Sequence, residues 1–457
     1  MSNNTLTSLE RKSISALAAV YGLRMFGLFL ILPVLAIYAE ELDGASPVLM
    51  GIALGVYGMT QAIFQIPFGM LSDRYGRKPL IIIGLLIFVV GSLIAAFADS
   101  IGGVIFGRAL QGTGAIASVV LALTSDLNRE NQRTKAMATI GMSIGGAFLL
   151  ALLVAPILEF FIGVQGLFIL TACLALLSIL VIWKVVPTPA QTFDLNVRAV
   201  PSKMLDLLKH KQLIRLDVGI FILHYILTSI FVVVPIILLD TVGLEIQQHW
   251  QVYVPALLCS IVFMVPMVIA STRKKWLMRI FLAAVCILLF AQALFMWRPF
   301  GLFGITFCLF TFFWGFNLLE ALLPSLISRI APAAAKGSAM GVYNTFQFLG
   351  VFFGGLFGGI LYGKFGVNAV FMMSSLLLFV WVWLIQTAPE LKLLDSMVVK
   401  LNSPANSESA AQSLRAEFEK LAGIEEVIIM QGESLAYLKV DKDNFDNAVL
   451  NQYIQTT

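Results

Sequence analysis

Long apolar runs alternate with short polar segments from residue 13 to residue 388, at 13–39, 48–70, 79–98, 101–125, 135–160, 164–187, 212–240, 246–271, 277–297, 300–330, 334–362 and 366–388. About 20 apolar residues in a helix cross the roughly 30 Å hydrocarbon layer of a bilayer. A helix also satisfies its own backbone hydrogen bonds there, where water is absent. The pattern therefore predicts twelve transmembrane helices. The first run follows a polar stretch ending in Arg11 and Lys12. It is too long for a signal-peptide core and ends at no small-residue cleavage site, so it is expected to be retained as span one.

The longest connection, about 188–211, splits the runs into two sets of six. Its end, PSKMLDLLKHKQL, sets Met204, Leu205, Leu207 and Leu208 among basic residues. Such a pattern fits a short interfacial helix, and an ordinary solvated linker fits as well. After Pro389 the pattern changes to strand about 392–402, helix 406–421, strands 424–431 and 434–440, and helix 442–454, with Gly432 turning between the apolar runs VIIM and LAYLKV. The expected domains are a six-helix half at 1–187, a linker at 188–211, a second six-helix half at 212–388, and a small α+β domain at 389–457. Two six-span halves joined by a long loop are a common secondary-transporter plan, with the substrate site between the halves near mid-membrane.

Composition agrees: 59% of the 457 residues are hydrophobic and 12% charged, about half the charged share of soluble domains. Charge also orients the spans. Alternate loops hold twenty Lys and Arg, among them Arg74, Arg77, Lys78, Arg129, Arg133, Lys203, Lys274 and Lys275, while the opposite loops hold only Arg298 and Lys364. The positive-inside rule makes the first set cytoplasmic, with both termini inside. The net charge of +4, without a basic block, gives no reason to expect a nucleic-acid partner. Cys173, Cys259, Cys286 and Cys308 lie in apolar runs without metal-ligand spacing, and read as membrane thiols. No phosphate-binding G-x-x-x-x-G-K-[ST] loop is present, so an ion gradient is the expected energy source, with no cofactor and no bound metal. No nucleophile or metal-ligand constellation points to an enzyme.

One loop concentrates charge: GMLSDRYGRKP at 69–79. It resembles the G-x-L-x-D-R-x-G-R-K signature of the major facilitator superfamily, in that family's place between spans two and three. GRALQGTGA at 107–115 is similar to the family's R-x-x-Q-G-x-G pattern in span four. In span five Gly141, Gly145 and Gly146 precede APILE at 155–159, where drug antiporters of the family usually carry G-P-x-x-G-G. Pro156 is kept and the ends of that pattern are lost. The TSDLNRE stretch at 124–130, NLLEALLPSLIS at 317–328 and the appended domain resemble a subgroup of Gram-negative transporters.

The resemblance implies a conformational latch of Gly69, Asp73, Arg74, Gly76, Arg77, Lys78 and Asp126. Asp73 is expected to contact the start of span eleven, KGSAMG at 336–341, and Arg77 to reach Asp126 at the inner end of span four. Gly69 would let spans two and eleven approach, answered by GGLFGG at 354–359. Gly76 permits the tight turn, and Pro79 suits the first turn of span three. Such contacts would hold the cytoplasmic side closed. The matching segment of the second half, IASTRKKWLMR at 269–279, lacks the Gly and the Asp.

Ionisable residues at membrane depth are costly and commonly functional. Arg24, Arg108, His224 and Glu320 lie in spans one, four, seven and ten, which line the central cavity in the family. Glu320 is the leading proton carrier or cation-binding carboxylate. Arg108, with Gln111 of the same motif, would modulate the proton step, and Arg24 would hold a substrate anion or neutralise Glu320. A structural Arg–Glu pair locking the helices is the plainer alternative. Gln61, Gln65, Asn317, Asn344 and Gln347 are pocket groups or helix-to-helix hydrogen bonds. Asp240, Glu245 and His249 are expected to be solvated at the outer loop.

The tail holds eleven acids and six bases, net −5, against 24 bases and 15 acids, net +9, in the rest. Its order resembles a ferredoxin-like domain of the heavy-metal-associated kind, yet it has no cysteine to bind metal. Docking on the basic inner face, self-association and ligand sensing stay open beside a plain appendage. The expectation is an all-α polytopic protein of the inner membrane that moves small molecules with protons. Antiport for export leads, and proton symport for uptake or a transceptor-like sensor are the rivals.

Overall fold

The computed structural model describes residues 6–188, 207–297, 301–332, 336–387, 395–400, 408–429 and 435–440. Helix α1 (Ser8–Leu30) begins at Thr7, whose hydroxyl accepts the Glu10 N–H while the Glu10 carboxylate accepts the Thr7 N–H, a capping box. The first apolar run then breaks in a turn at 31–34, where Pro33 has no N–H to continue the ladder. It resumes as α2 (Leu35–Glu40). Next come α3 (Pro47–Tyr75) and α4 (Arg77–Ala96), separated only by Gly76. The fourth run is also broken, into α5 (Ile101–Thr113) and α6 (Ala117–Leu127).

Two predicted spans merge in α7 (Glu130–Lys184), interrupted at Gly163 with φ 63° and ψ 175°. The backbone region is one that glycine alone adopts readily. The second half contains α8 (Lys211–Ile236), α9 (Trp250–Ser271), α10 (Lys274–Trp297), α11 (Leu302–Ile330), α12 (Lys336–Phe365) and α13 (Val367–Gln386). Among the described residues eleven stretches are long and apolar enough to cross a membrane, the longest being Lys135–Lys184. Large apolar side chains such as Phe97, Phe161, Trp183, Phe303 and Trp383 face outward, the inverse of a soluble surface and suited to lipid.

Each half packs around its own core, and α3 and α12 form the seam between them. The loop 69–79 marks one end of the bundle, here the loop end; α2 and residues 41–46 mark the far end. Toward the far end the seam is backbone against backbone. A Cβ added at Gly55 would lie 2.7 Å from the Phe352 carbonyl oxygen, and one at Gly51 would lie 3.0 Å from the Gly359 Cα. Small residues of this kind let membrane helices touch without a solvent-driven hydrophobic effect. Toward the loop end the expected approach at Gly69 is not made: its nearest neighbour is Ser118 of α6, 3.5 Å from an added Cβ, and Gly337 at the start of α12 has nothing within 4 Å.

His249, expected to be solvated, is buried. Its Nε2 lies 3.2 Å from the Leu244 carbonyl oxygen, and its ring stands edge-on to Tyr253 at 6.1 Å. The turn that precedes α9 folds the imidazole back under the helix start.

The C-terminal unit has β1 (Asp395–Lys400), α14 (Glu408–Phe418), β2 (Ile424–Ile429) and β3 (Leu435–Val440) in an antiparallel sheet of order β1-β3-β2. Alternate residues Ala436, Leu438 and Val440 of β3 turn inward with Val399, Val427 and Phe418, the period-2 burial of a one-faced sheet. The expected helix at 442–454 and linker residues 189–206 lie outside the described residues.

Candidate functional site

The membrane-depth charges divide between the halves. Arg24 on α1 is 1% exposed. Its Nη2 donates to Gln61 Oε1 of α3 at 3.1 Å and to the Gly114 carbonyl at 3.0 Å, and its guanidinium lies 5.4 Å over the Phe88 ring. Gly114 sits in the break between α5 and α6, where its carbonyl accepts from the Ile116 N–H at 2.9 Å and from Arg24 as well. Arg108 donates to the Ala53 and Leu54 carbonyls of α3 at 3.2 and 3.3 Å and to Gln111 Oε1 at 3.0 Å. Gln111 in turn donates to Ser92 Oγ of α4 at 2.8 Å. The GRALQGTGA motif thus ties α3, α4 and α5 together through one guanidinium. Among the described residues neither arginine pairs with a carboxylate, so no Arg–Glu lock forms.

Glu320 meets a different partner. Its Oε1 lies 3.3 Å from Nε2 of His224 on α8, and Gln347 Nε2 of α12 lies 2.8 Å from the same ring nitrogen. His224 Nδ1 is 3.3 Å from the Ile220 carbonyl oxygen. An Nδ1–H donated to that carbonyl leaves Nε2 an acceptor, matching the Gln347 amide. A carboxylate beside that lone pair then needs a proton of its own. With the ring protonated instead, Nε2–H donates to Glu320 and the Gln347 amide must turn its oxygen inward. The two groups approach without a hydrogen bond in this arrangement, and either can carry a proton, with the amide orientation differing between the two cases. Asn317, three residues before Glu320, donates to Ser260 Oγ of α9 at 2.9 Å and holds α11 in place.

Four aromatic rings close the space on the far-end side. Phe148 of α7 lies 5.1 Å from Phe29, 6.5 Å from Phe231 and 6.1 Å from Phe313, joining α1, α8 and α11 across the two halves. Phe231 is seven residues beyond His224, and Phe313 seven before Glu320 on a helix running the opposite way. The rings therefore sit about two turns, roughly 10 Å, beyond the Glu320–His224 pair.

The charged loop is ordered within its own half. Arg77 pairs with Asp73, donates from Nη1 to Ser72 Oγ at 2.6 Å, and bonds Asp126 Oδ2 from Nε at 3.1 Å. Lys78 donates to the Val186 carbonyl at 2.8 Å, Arg74 lies 5.4 Å over the Tyr75 ring, and Gly76 turns the chain at φ 95°. Asp73 thus faces its own loop in this arrangement, and the expected bond to α12 is not made among the described residues. A second tie was not expected from sequence: Glu10 accepts from Nε and Nη2 of Arg129, both at 2.8 Å, joining α1 to the start of α7. Asp217, near the edge of its predicted span, is not among the residues expected from sequence. Its spacing of seven from His224 was the available signal, because residues seven apart share a helix face.

Comparisons with known proteins place this arrangement. The Major Facilitator Superfamily model matches residues 17–355. The inner membrane transport protein YajR of Escherichia coli (strain K12) is 42% identical over 456 residues, covering 100% of both chains; the YajR type is the subgroup that the 124–130 and 317–328 stretches resemble. Tetracycline resistance protein, class B, of Escherichia coli is 32% identical over 140 residues, 30% of this chain and 34% of that one. Among solved structures, a bacterial homolog to the human lysosomal transporter Spinster, in an inward-facing and occupied conformation, aligns with TM-score 0.71 at 12% identity, covering 84% of this chain and 97% of that one. Identity that low speaks for the fold alone.

Proposed function

The chain belongs to the major facilitator superfamily, and we propose that it is an inner-membrane antiporter that exports small organic compounds in exchange for protons. Family membership makes it a multi-pass membrane transporter rather than an enzyme, acting on small molecules within a bilayer. The observation that carries the finer reading is the Glu320–His224–Gln347 cluster, a carboxylate and an imidazole at mid-span, either of which can carry a proton. The similarity to the inner membrane transport protein YajR over the whole chain supports the inner membrane, and the similarity to the tetracycline resistance protein supports export.

We read twelve spans, with Gly163 dividing α7 into spans five and six, and place the loop end in the cytoplasm from the Lys and Arg distribution. On that reading the far end is closed by the α3–α12 seam and the Phe29–Phe148–Phe231–Phe313 cluster, so the site exchanges protons and substrate with the cytoplasm. Opening the far end requires the halves to rock. Asp73 then exchanges its Arg77 partner for the start of α12, while Arg77 keeps Asp126. Arg24 and Arg108, which pair with no carboxylate among the described residues, place positive charge in the first half, while Glu320 stands in the second. A substrate group that donates a hydrogen bond or carries positive charge to the deprotonated Glu320–His224 atoms would compete with the proton for them, the requirement of antiport. The acidic tail, read as ferredoxin-like, is regulatory.

The test is full-length protein in liposomes with an imposed pH gradient and a panel of lipophilic cations, anions and neutral compounds. Antiport predicts compound movement opposite to protons and loss of gradient-driven accumulation in Glu320→Gln. Flux in the same direction as protons would establish symport, and binding without flux would establish a sensor.

A further inference from the structure

A second buried carboxylate stands below the Glu320–His224 pair, and neither the latch nor the pair uses it. Asp217 on α8 is 2% exposed, and its Oδ1 is buried with no hydrogen-bond partner among the described residues. It precedes His224 by seven residues, on the same helix face and about 10 Å nearer the loop end. Tyr343 on α12 is likewise 2% exposed, its hydroxyl buried and unpartnered, and it stands within electrostatic range of both Glu320 and Asp217. Tyr343 is one turn before Gln347, which touches His224. The two polar rungs of α12, Gln347 and Tyr343, thus accompany the two polar rungs of α8, His224 and Asp217.

We propose that Tyr343 and Asp217 form a proton branch leading from Glu320 toward the loop end, with Asp217 as a second proton-binding carboxylate. Two side chains with unpartnered buried oxygens in one helix cluster are expensive to keep in an apolar bundle. A structural role would favour partners that satisfy them. Tyr343 bonds neither carboxyl in this arrangement; once movement among α8, α11 and α12 brings the phenol within reach of both, its oxygen accepts the Glu320 proton as its own O–H proton goes to the Asp217 carboxylate. One O–H bond breaks and one forms at the tyrosine, and charge is conserved. Among the described residues no base is hydrogen-bonded to Asp217 Oδ1, and His210 stands seven residues before it at the helix start. Arg215 on the same helix reaches for the Thr387 carbonyl at 3.4 Å. The facing helix α13 carries no ionisable residue from Val367 to Gln386 and packs Trp381 against Gly219. Tyr343 is the ionisable group that α12 offers near this level, and α11 offers Glu320 beside His224 and Arg329 nine residues nearer the loop end.

The proposal rests on Glu320 as proton carrier, and the experiment separates the two. Full-length protein reconstituted in lipid is titrated while infrared difference spectra follow protonated-carboxyl C=O stretches. Wild type should lose two buried bands as pH rises. Asp217→Asn should remove one and Glu320→Gln the other, and the Asp217 band in Glu320→Gln should titrate at least about one pH unit away from its wild-type midpoint, the signature of coupled sites. Tyr343→Phe should keep both bands and slow proton release after a pH jump at least about tenfold. Should Asp217→Asn fail to fold, aspartate labelled with carbon-13 at the side-chain carboxyl identifies the band in unmutated protein by its isotope shift. No aspartate band with the Glu320 band present overturns the branch and spares the functional reading. No Glu320 band overturns that reading itself. Unchanged release in Tyr343→Phe overturns the tyrosine's role.

Discussion

Gly55→Ala on α3 should open the far end of the bundle. The added methyl would lie 2.7 Å from the Phe352 carbonyl oxygen and 3.0 Å from both the Phe352 Cα and the Val351 oxygen. All three are backbone atoms and cannot turn away. Ordinary contact needs about 3.4 Å, so α3 and α12 must part by roughly 0.7 Å along a seam where Gly51 and Gly355 also touch backbone to backbone. Overpacking of this kind costs about 1–3 kcal/mol, which shifts a two-state equilibrium about 5–150-fold away from the closed far end. Spin labels at Phe97 and Trp297, both exposed at the far ends of α4 and α10, in a background without the four native cysteines, report the change as a longer-distance population. Gly145→Ala, with nothing within 4 Å, is the control and should leave the distances unchanged. An unchanged distribution in Gly55→Ala would refute the reasoning that backbone contact sets the closed state.

Other outcomes follow from the same geometry. Glu10→Gln breaks the bidentate bond to Arg129 and should lower stability in detergent by about 1.5–3 kcal/mol; an unshifted thermal midpoint would contradict it. Gly76→Ala places an L residue at φ 95° and ψ 149° and should cost about 1–3 kcal/mol, read by the same melt. At the far mouth, partial desolvation first and Asp240 second push the Glu40 carboxyl above its ordinary value. The closed arrangement therefore binds that proton more tightly, and acid should favour it. The labelled distances should shorten as pH falls through the range above the ordinary carboxylate value, less so in Asp240→Asn, and shortening with rising pH would contradict the sign.

The apolar runs predicted the helices because a bilayer imposes a length and forbids unpaired backbone, and both constraints are written in hydropathy. The interruption at Gly163 falls in the gap expected between the fifth and sixth runs, whereas the breaks at 31–34 and at Gly114–Ile116 were not legible, since an apolar run gives no sign of where tertiary contacts replace ladder bonds. The loop 69–79 and Asp126 were legible as a motif, and the Arg77–Asp126 bond is in place. Its reach to α12 depends on which end is closed, and a sequence does not hold one conformation. Glu320 and His224 were each visible as lone charges in apolar surroundings. Their partnership was not, because it depends on how α8, α11 and α12 are rotated about their axes; the same rotation buries Asp217 and Tyr343.

The proton-coupling role of Glu320 is tested most directly by compound accumulation in proteoliposomes with and without a pH gradient, comparing wild type with Glu320→Gln. The geometry predicts gradient-driven accumulation in wild type, and in Glu320→Gln exchange that persists at equal pH but no longer responds to the gradient. Accumulation in Glu320→Gln that follows the gradient as in wild type would contradict it.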